Sequence, residues 1–236
     1  MDLSLSDEQK QLKDAAERFV RDKYTFENRR KIAATERGWL PENWAQFAEL
    51  GWLGMSFSEE DGGYGGGPIE TMIVMEEFGK GLVLEPFLPT VVLGGGLIAS
   101  AGSKAQKEAL LAPMIEGKKQ FALAWLERQS RYNLADVSLK ATKEGSGWSL
   151  SGHKGVVYNA PSADHIIVLA RTAGSAREPK GLTLFVISHD LPLVGHMCDN
   201  LAIMNRGIIR ETITRDALLG RTFRDEYTRE LYQASL

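Results

Sequence analysis

Cysteine is almost absent: Cys198 is the only one in 236 residues. A single thiol excludes an intrachain disulfide and a cysteine-based metal cluster, and it points to a reducing compartment. An excess of one charge is lacking as well. The 28 basic and 31 acidic residues leave a net charge of −3, which gives no general electrostatic drive toward nucleic acid or an anionic membrane. The start, MDLSLSDEQK, has no apolar core behind a basic region; no secretory signal is expected, and the cytoplasm is the expected location. The nearest approach to a long apolar run is PFLPTVVLGGGLIASAGS, Pro86 to Ser103, where two prolines and four glycines lower the hydropathy. A buried helix pair, or one helix with an irregular entry, is expected there in place of a membrane span.

Phosphate-binding signatures are missing too. No G-x-x-x-x-G-K followed by Ser or Thr occurs, and no strand-like stretch leads into G-x-G-x-x-G. The glycine-rich SEEDGGYGGGP, residues 58–68, therefore reads as a tight connection between helices.

What is present falls into two regimes. Ser6 and Gln9 form a capping box, and Leu12, Ala15, Ala16, Phe19 and Val20 recur at helical spacing, predicting a helix over 7–22. Pro41 opens a second helix, PENWAQFAELG, with Trp44, Phe47 and Ala48 on one face and Gly51 as its stop. PIETMIVMEEFGKGL and SKAQKEALLAPMIEGKK continue the helical pattern, with Met72, Met75 and Phe78 read as a core stripe. After Lys119 the period changes. FALAWLE, DVSLKATKE, GWSLSGHKGVVYN, DHIIVLART and GLTLFVI are short, rich in β-branched and aromatic residues, and separated by turn formers. Helices followed by strands predict an α+β chain.

Three passages then carry a family resemblance: GWLGMSFSEEDGGYGGGPIETMIVMEEFGK, GSKAQKEALLAPMIEGKKQFALAWLE and GWSLSGHKGVVYNAPSADHIIVLAR. In this order they resemble the acyl-CoA dehydrogenase family over residues 1–186. The resemblance implies an N-terminal helical domain over 1–119 and a mainly antiparallel β-domain over 120–187. It also implies FAD as cofactor, an acyl-CoA thioester as substrate for α,β-desaturation, and a homo- or hetero-oligomer. The family's first flavin motif runs aromatic-x-x-T-E-P. Here Glu127 matches, while Leu126 stands in the threonine place and Arg128 in the proline place. The second motif, a strand of the form W-I-T-N, is matched by Val156, Val157, Tyr158 and Asn159, of which Asn159 agrees. By this resemblance residues 123–127, with Leu123, Trp125, Leu126 and Glu127, and residues 156–159 face the flavin. Backbone amides at the strand end would serve the pyrimidine edge, since such contacts do not depend on side-chain identity.

The resemblance also defines what is missing. Desaturation needs a carboxylate to remove the α-proton as hydride leaves the β-carbon, both held in near-attack geometry. In the family that base comes from a C-terminal helical domain, which no segment after residue 187 resembles, so no catalytic residue is expected here. Glu127 is acidic at a strand end, but it is not in the base's place. The chain is expected to be truncated relative to the family and weakly active or inactive alone. A non-catalytic binding or assembly subunit is the alternative.

Residues 182–236, beginning LTLFVISHDLPLV, instead resemble the C-terminal end of a peptide-type ATP-binding-cassette transporter ATPase. His189 matches its switch histidine and Asp190 follows as in that family; a strand-like LAIMNRG and a helix ending in YTRELYQAS come after. The phosphate grip, magnesium ligands and catalytic carboxylate of such an ATPase lie upstream and have no counterpart, so ATP hydrolysis is not expected. Ser188, His189 and Asp190 do not make a hydrolase relay either, because adjacent side chains on an extended segment point in different directions. The expectation is a join near 182–188, followed by a mixed α/β tail of foreign origin over 188–236. Leu201, Ile203, Leu218 and Leu231 are among its groups available for packing.

Overall fold

The computed structural model describes residues 4–144, 147–188, 200–205 and 208–234. They form two compact units that divide at Gln120 and Phe121, except that Lys104–Ala109 cluster with the second unit.

The first unit is helical. Helix α1 (Asp7–Lys23) starts at the predicted capping box: the Gln9 amide donates to Ser6 Oγ at 3.2 Å and the Ser6 amide donates to Gln9 Oε1 at 3.0 Å. Helix α2 (Phe26–Ala33) buries only Ile32, which leaves little apolar periodicity to announce it. Helices α3 (Pro41–Glu49) and α4 (Pro68–Gly81) both carry proline in the first turn, where its fixed φ suits helix entry. Phe19, Phe47, Trp52, Phe78 and Phe87 interlock at the centre, with Phe47 and Phe78 stacked at 4.8 Å and Phe78 meeting Phe87 edge-on at 5.4 Å. Burying these rings supplies much of the unit's apolar stabilisation.

The methionine stripe expected on α4 is corrected. Met72 is 54% exposed, and the buried face is Ile73, Val74, Glu77 and Phe78. At about 100° per residue those four positions share one arc, and Met72 lies nearly opposite its centre. The apolar run after Pro86 is a helix with an irregular entry: a π-helical segment, Leu88–Gly95, leads into α5 (Gly96–Ala101). Helix α6 (Lys104–Ile115) follows.

The second unit holds a five-stranded mixed sheet. Its strands are β1 (Phe121–Ala124), β2 (Lys140–Glu144), β3 (Gly147–Ser151), β4 (His165–Arg171) and β5 (Leu182–Ser188). The order β1-β4-β2-β3 has β5 pairing β4; β1 and β2 lie parallel to β4, while β2–β3 and β4–β5 are antiparallel. Ala124, Leu139, Ala141, Val168 and Ala170 form its core. Arg171, only 7% exposed, ends β4 and donates to six backbone carbonyls, those of Val137, Ala173, Lys180, Ala135, Ala176 and Glu178, at 2.8–3.2 Å. One guanidinium thus holds the 172–181 connection to the segment before β2.

The strand expected at LAIMNRG is β6 (Asn200–Asn205), and it pairs antiparallel with β7 (Ile208–Thr214). Helices α7 (Arg215–Leu219) and α8 (Glu226–Ala234) follow, the latter matching the helix expected near the C-terminus. Leu201, Ile203, Ile213 and Leu218 make a separate small core, covered by Phe223, Tyr227 and Leu231. Both Glu211 carboxylate oxygens accept amides at the start of α8, from Arg224 at 2.8 Å and Asp225 at 3.1 Å. His189, Asp190 and Cys198 lie outside the described residues.

Candidate functional site

Strand β1 ends at Ala124, and the chain then runs irregularly through Trp125, Leu126 and Glu127 before the turn at 128–132. Beside it lies the segment 154–159. This is not the strand implied by the second flavin motif: residues 153–157 are irregular and 158–162 are turn. The physical reason is local. Val156 and Asn159 both adopt the left-handed conformation, at φ 47° and 64°, which an extended strand does not accommodate.

Even so, the structure brings the two predicted segments together. The Gly155 amide donates to the Leu126 carbonyl at 2.9 Å, Asn159 Nδ2 donates to the Phe121 carbonyl at 3.3 Å, and Lys154 Nζ donates to the Trp125 carbonyl at 3.4 Å. Leu123, Trp125 and Leu126 are half-buried; Val157 packs onto the sheet core. Val156 and Tyr158 are 67% and 56% exposed. Two exposed, largely apolar side chains on an irregular segment laced to the end of β1 suit the planar, mostly apolar face of a flavin ring.

Glu127 plays a different part from the rest. Its carboxylate is buried and accepts four hydrogen bonds: Oε1 from Lys154 Nζ at 2.7 Å and the Leu139 amide at 3.0 Å, Oε2 from Gln129 Nε2 at 2.7 Å and the Ser138 amide at 2.8 Å. Burial pushes this carboxyl up, but the bonds from Lys154, Gln129, Leu139 and Ser138 together outweigh it and hold the pKa at about 2. A carboxylate so stabilised is a poor proton acceptor. Glu127 is therefore an internal anchor, joined by Lys154 in an ion pair whose side chains are 3% and 6% exposed.

Sequence reasoning missed Lys154, Gln129 and Arg171. The cue for Lys154 was slight, a lysine between His153 and Gly155 in GHKGVV. A pair separated by 27 residues leaves no periodic trace.

With this geometry established, comparison with known proteins is decisive. Residues 6–118 match the acyl-CoA dehydrogenase N-terminal domain, and residues 122–213 match the acyl-CoA dehydrogenase middle domain. The chain belongs to the acyl-CoA dehydrogenase family. Isovaleryl-CoA dehydrogenase from Pongo abelii is 31% identical over 191 residues, covering 80% of this chain and 45% of the relative. Acyl-CoA dehydrogenase FadE12 from Mycobacterium tuberculosis is 31% identical over 154 residues, covering 64% and 39%. Among solved structures, butyryl-CoA dehydrogenase from Megasphaera elsdenii superposes with a TM-score of 0.66 at 28% identity, covering 86% of this chain and 52% of that one. The chain spans about half the length of the curated dehydrogenases it matches. The middle-domain match continues to residue 213, beyond the join expected near 182–188, and so takes in β6 and nearly all of β7.

Proposed function

We propose that this chain is the flavin-facing part of an acyl-CoA dehydrogenase, contributing to α,β-desaturation of an acyl-CoA thioester with FAD as cofactor. The observation that carries this reading is the lacing of residues 121–126 to 154–159 by three hydrogen bonds, which makes one surface of two segments far apart in sequence. When bound, FAD supplies the hydride acceptor for the β-carbon. Leu123, Trp125, Leu126, Val156, Val157, Tyr158 and Asn159 form the wall against the ring, with the backbone at Trp125 and Leu126 serving its polar edge. Leu126 has no hydroxyl for the flavin, so main-chain groups and apolar contact carry the binding.

The base that removes the α-proton lies outside the residues placed at this wall, because the Glu127 carboxylate is already committed to four donors. A partner chain, a second copy or further polypeptide supplies it. Within the tail, Leu201, Ile203, Ile213 and Leu218 form a small core, and three of these four lie inside the middle-domain match that ends at residue 213. No ATPase activity is assigned to that tail.

An absorbance spectrum of the purified protein, with and without added FAD, tests the reading. Yellow, protein-bound flavin is the expected result, with bleaching by an acyl-CoA only when a base-supplying partner is present. A colourless protein that cannot be reconstituted sinks the proposal; co-purification of a protein partner without flavin favours a binding or assembly subunit.

A further inference from the structure

The buried ion pair between Lys154 and Glu127 has a more specific use than stability. Taking two charges out of water is costly, and well-packed apolar residues of similar volume often serve a fold equally well or better. What the pair provides here is connectivity. Glu127 gathers the amides of Ser138 and Leu139 and the Lys154 ammonium around the end of β1; Lys154 also reaches the Trp125 carbonyl, and its neighbour Gly155 binds Leu126. Three consecutive residues, 125–127, are thereby held to two consecutive residues, 154 and 155. These are the last ordered contacts before the chain turns left-handed at Val156 and presents Val156 and Tyr158 to solvent.

We infer that Lys154 and Glu127 are positioning residues for the flavin: they set the spacing and register of 123–127 against 156–159, so that both segments meet one ring. The inference rests on the proposed flavin reading and extends it to residues that do not themselves face the cofactor.

Three variants test it. K154M leaves Glu127 buried without its cation; E127L/K154M removes both charges while keeping apolar volume; K154R retains a cation. FAD affinity is read by flavin fluorescence quenching, the ring environment by visible circular dichroism, and local order by hydrogen exchange of the cofactor-free proteins. The double variant is expected to fold, to bind FAD at least about tenfold more weakly than wild type, and to show an altered visible dichroism band; that factor corresponds to about 1.4 kcal/mol. K154R is expected to recover most of the affinity. In the cofactor-free double variant, amides of 125–127 and 155–159 lose protection together while β4 and β5 keep theirs.

Wild-type affinity and dichroism in the double variant overturn the inference. Failure of K154M to fold leaves the double variant to decide. If the wild-type protein binds no FAD, the proposed function fails, and hydrogen exchange still judges the pair: unchanged or uniformly lost protection shows that it sets no register.

Discussion

Asn159 donates its side-chain amide to the carbonyl oxygen of Phe121 at 3.3 Å, tying a left-handed turn residue to the start of the first strand. Asn159→Ala removes the tie and leaves at φ 64° a residue without the short polar side chain that makes the left-handed conformation accessible to asparagine. The lost bond adds about 1 kcal/mol. Asn159→Gly also removes the side chain but relieves the left-handed backbone. Urea unfolding is expected to rank the stabilities as wild type, then Gly, then Ala; an alanine variant more stable than the glycine variant contradicts the account.

Tyr24 and Glu85 form a second buried relationship, within the helical unit. The phenol donates to Glu85 Oε2, while Asn43 Nδ2 and the Leu40 amide donate to Oε1 at 3.0 and 3.3 Å. Burial pushes the phenol pKa up, and the hydrogen bond and charge of Glu85 raise it further. Tyr24→Phe keeps the ring but strands one carboxylate oxygen. It is expected to cost about 1–3 kcal/mol, measured as a lowered denaturation midpoint with an unchanged helical circular dichroism spectrum.

The glycine-rich connection makes a sharper prediction. At Gly63 a β-carbon would fall 2.4 Å from the Phe57 carbonyl oxygen, whereas at Gly62, φ +83°, it would meet nothing within 4 Å. Gly62→Ala is expected to cost about 1–2 kcal/mol for its left-handed backbone. Gly63→Ala must displace main chain and is expected to cost more. Equal thermal midpoints for the two variants contradict this division.

That loop was legible in the sequence as a tight connection because it lacked any phosphate-binding pattern, and α1 was legible because Ser6, Gln9 and a regular apolar spacing agree. Strands β1 to β5 announced themselves through β-branched runs between turn formers. Three features escaped for physical reasons. Met72 looked like core because apolarity alone does not fix the phase of a helix whose flanks are also apolar. The turn at 156–159 looked like strand because Val-Val-Tyr favours extended structure, and the left-handed Asn159 overrides it. Arg171 drew no reading at all, because its six carbonyl partners come from segments that converge only after folding.

Arg171→Lys is expected to destabilise the protein by about 2–4 kcal/mol despite conserving charge, because an ammonium has three donors and no planar fork. Unfolding by urea gives the cost, and hydrogen exchange should localise the loosening to 172–181. Wild-type stability in this variant shows that the carbonyl cage is dispensable.

Glu127 predicts an acid limb. Its folded pKa of about 2 lies below the ordinary 4.5, so its contribution is fully present above pH 4.5 and disappears as pH falls through about 2. Glu127→Gln removes that titration. The stability gap between wild type and E127Q is therefore expected to be widest above pH 4.5 and to narrow toward pH 2; a gap that widens on acidification contradicts the assignment.

Strand β5 is matched to β4 residue by residue from Leu182 to Ser188. Its path is dictated along its whole length by main-chain partners on one neighbour. A strand held at every residue opens as a unit, so the paired amides are expected to exchange with solvent together and not one at a time.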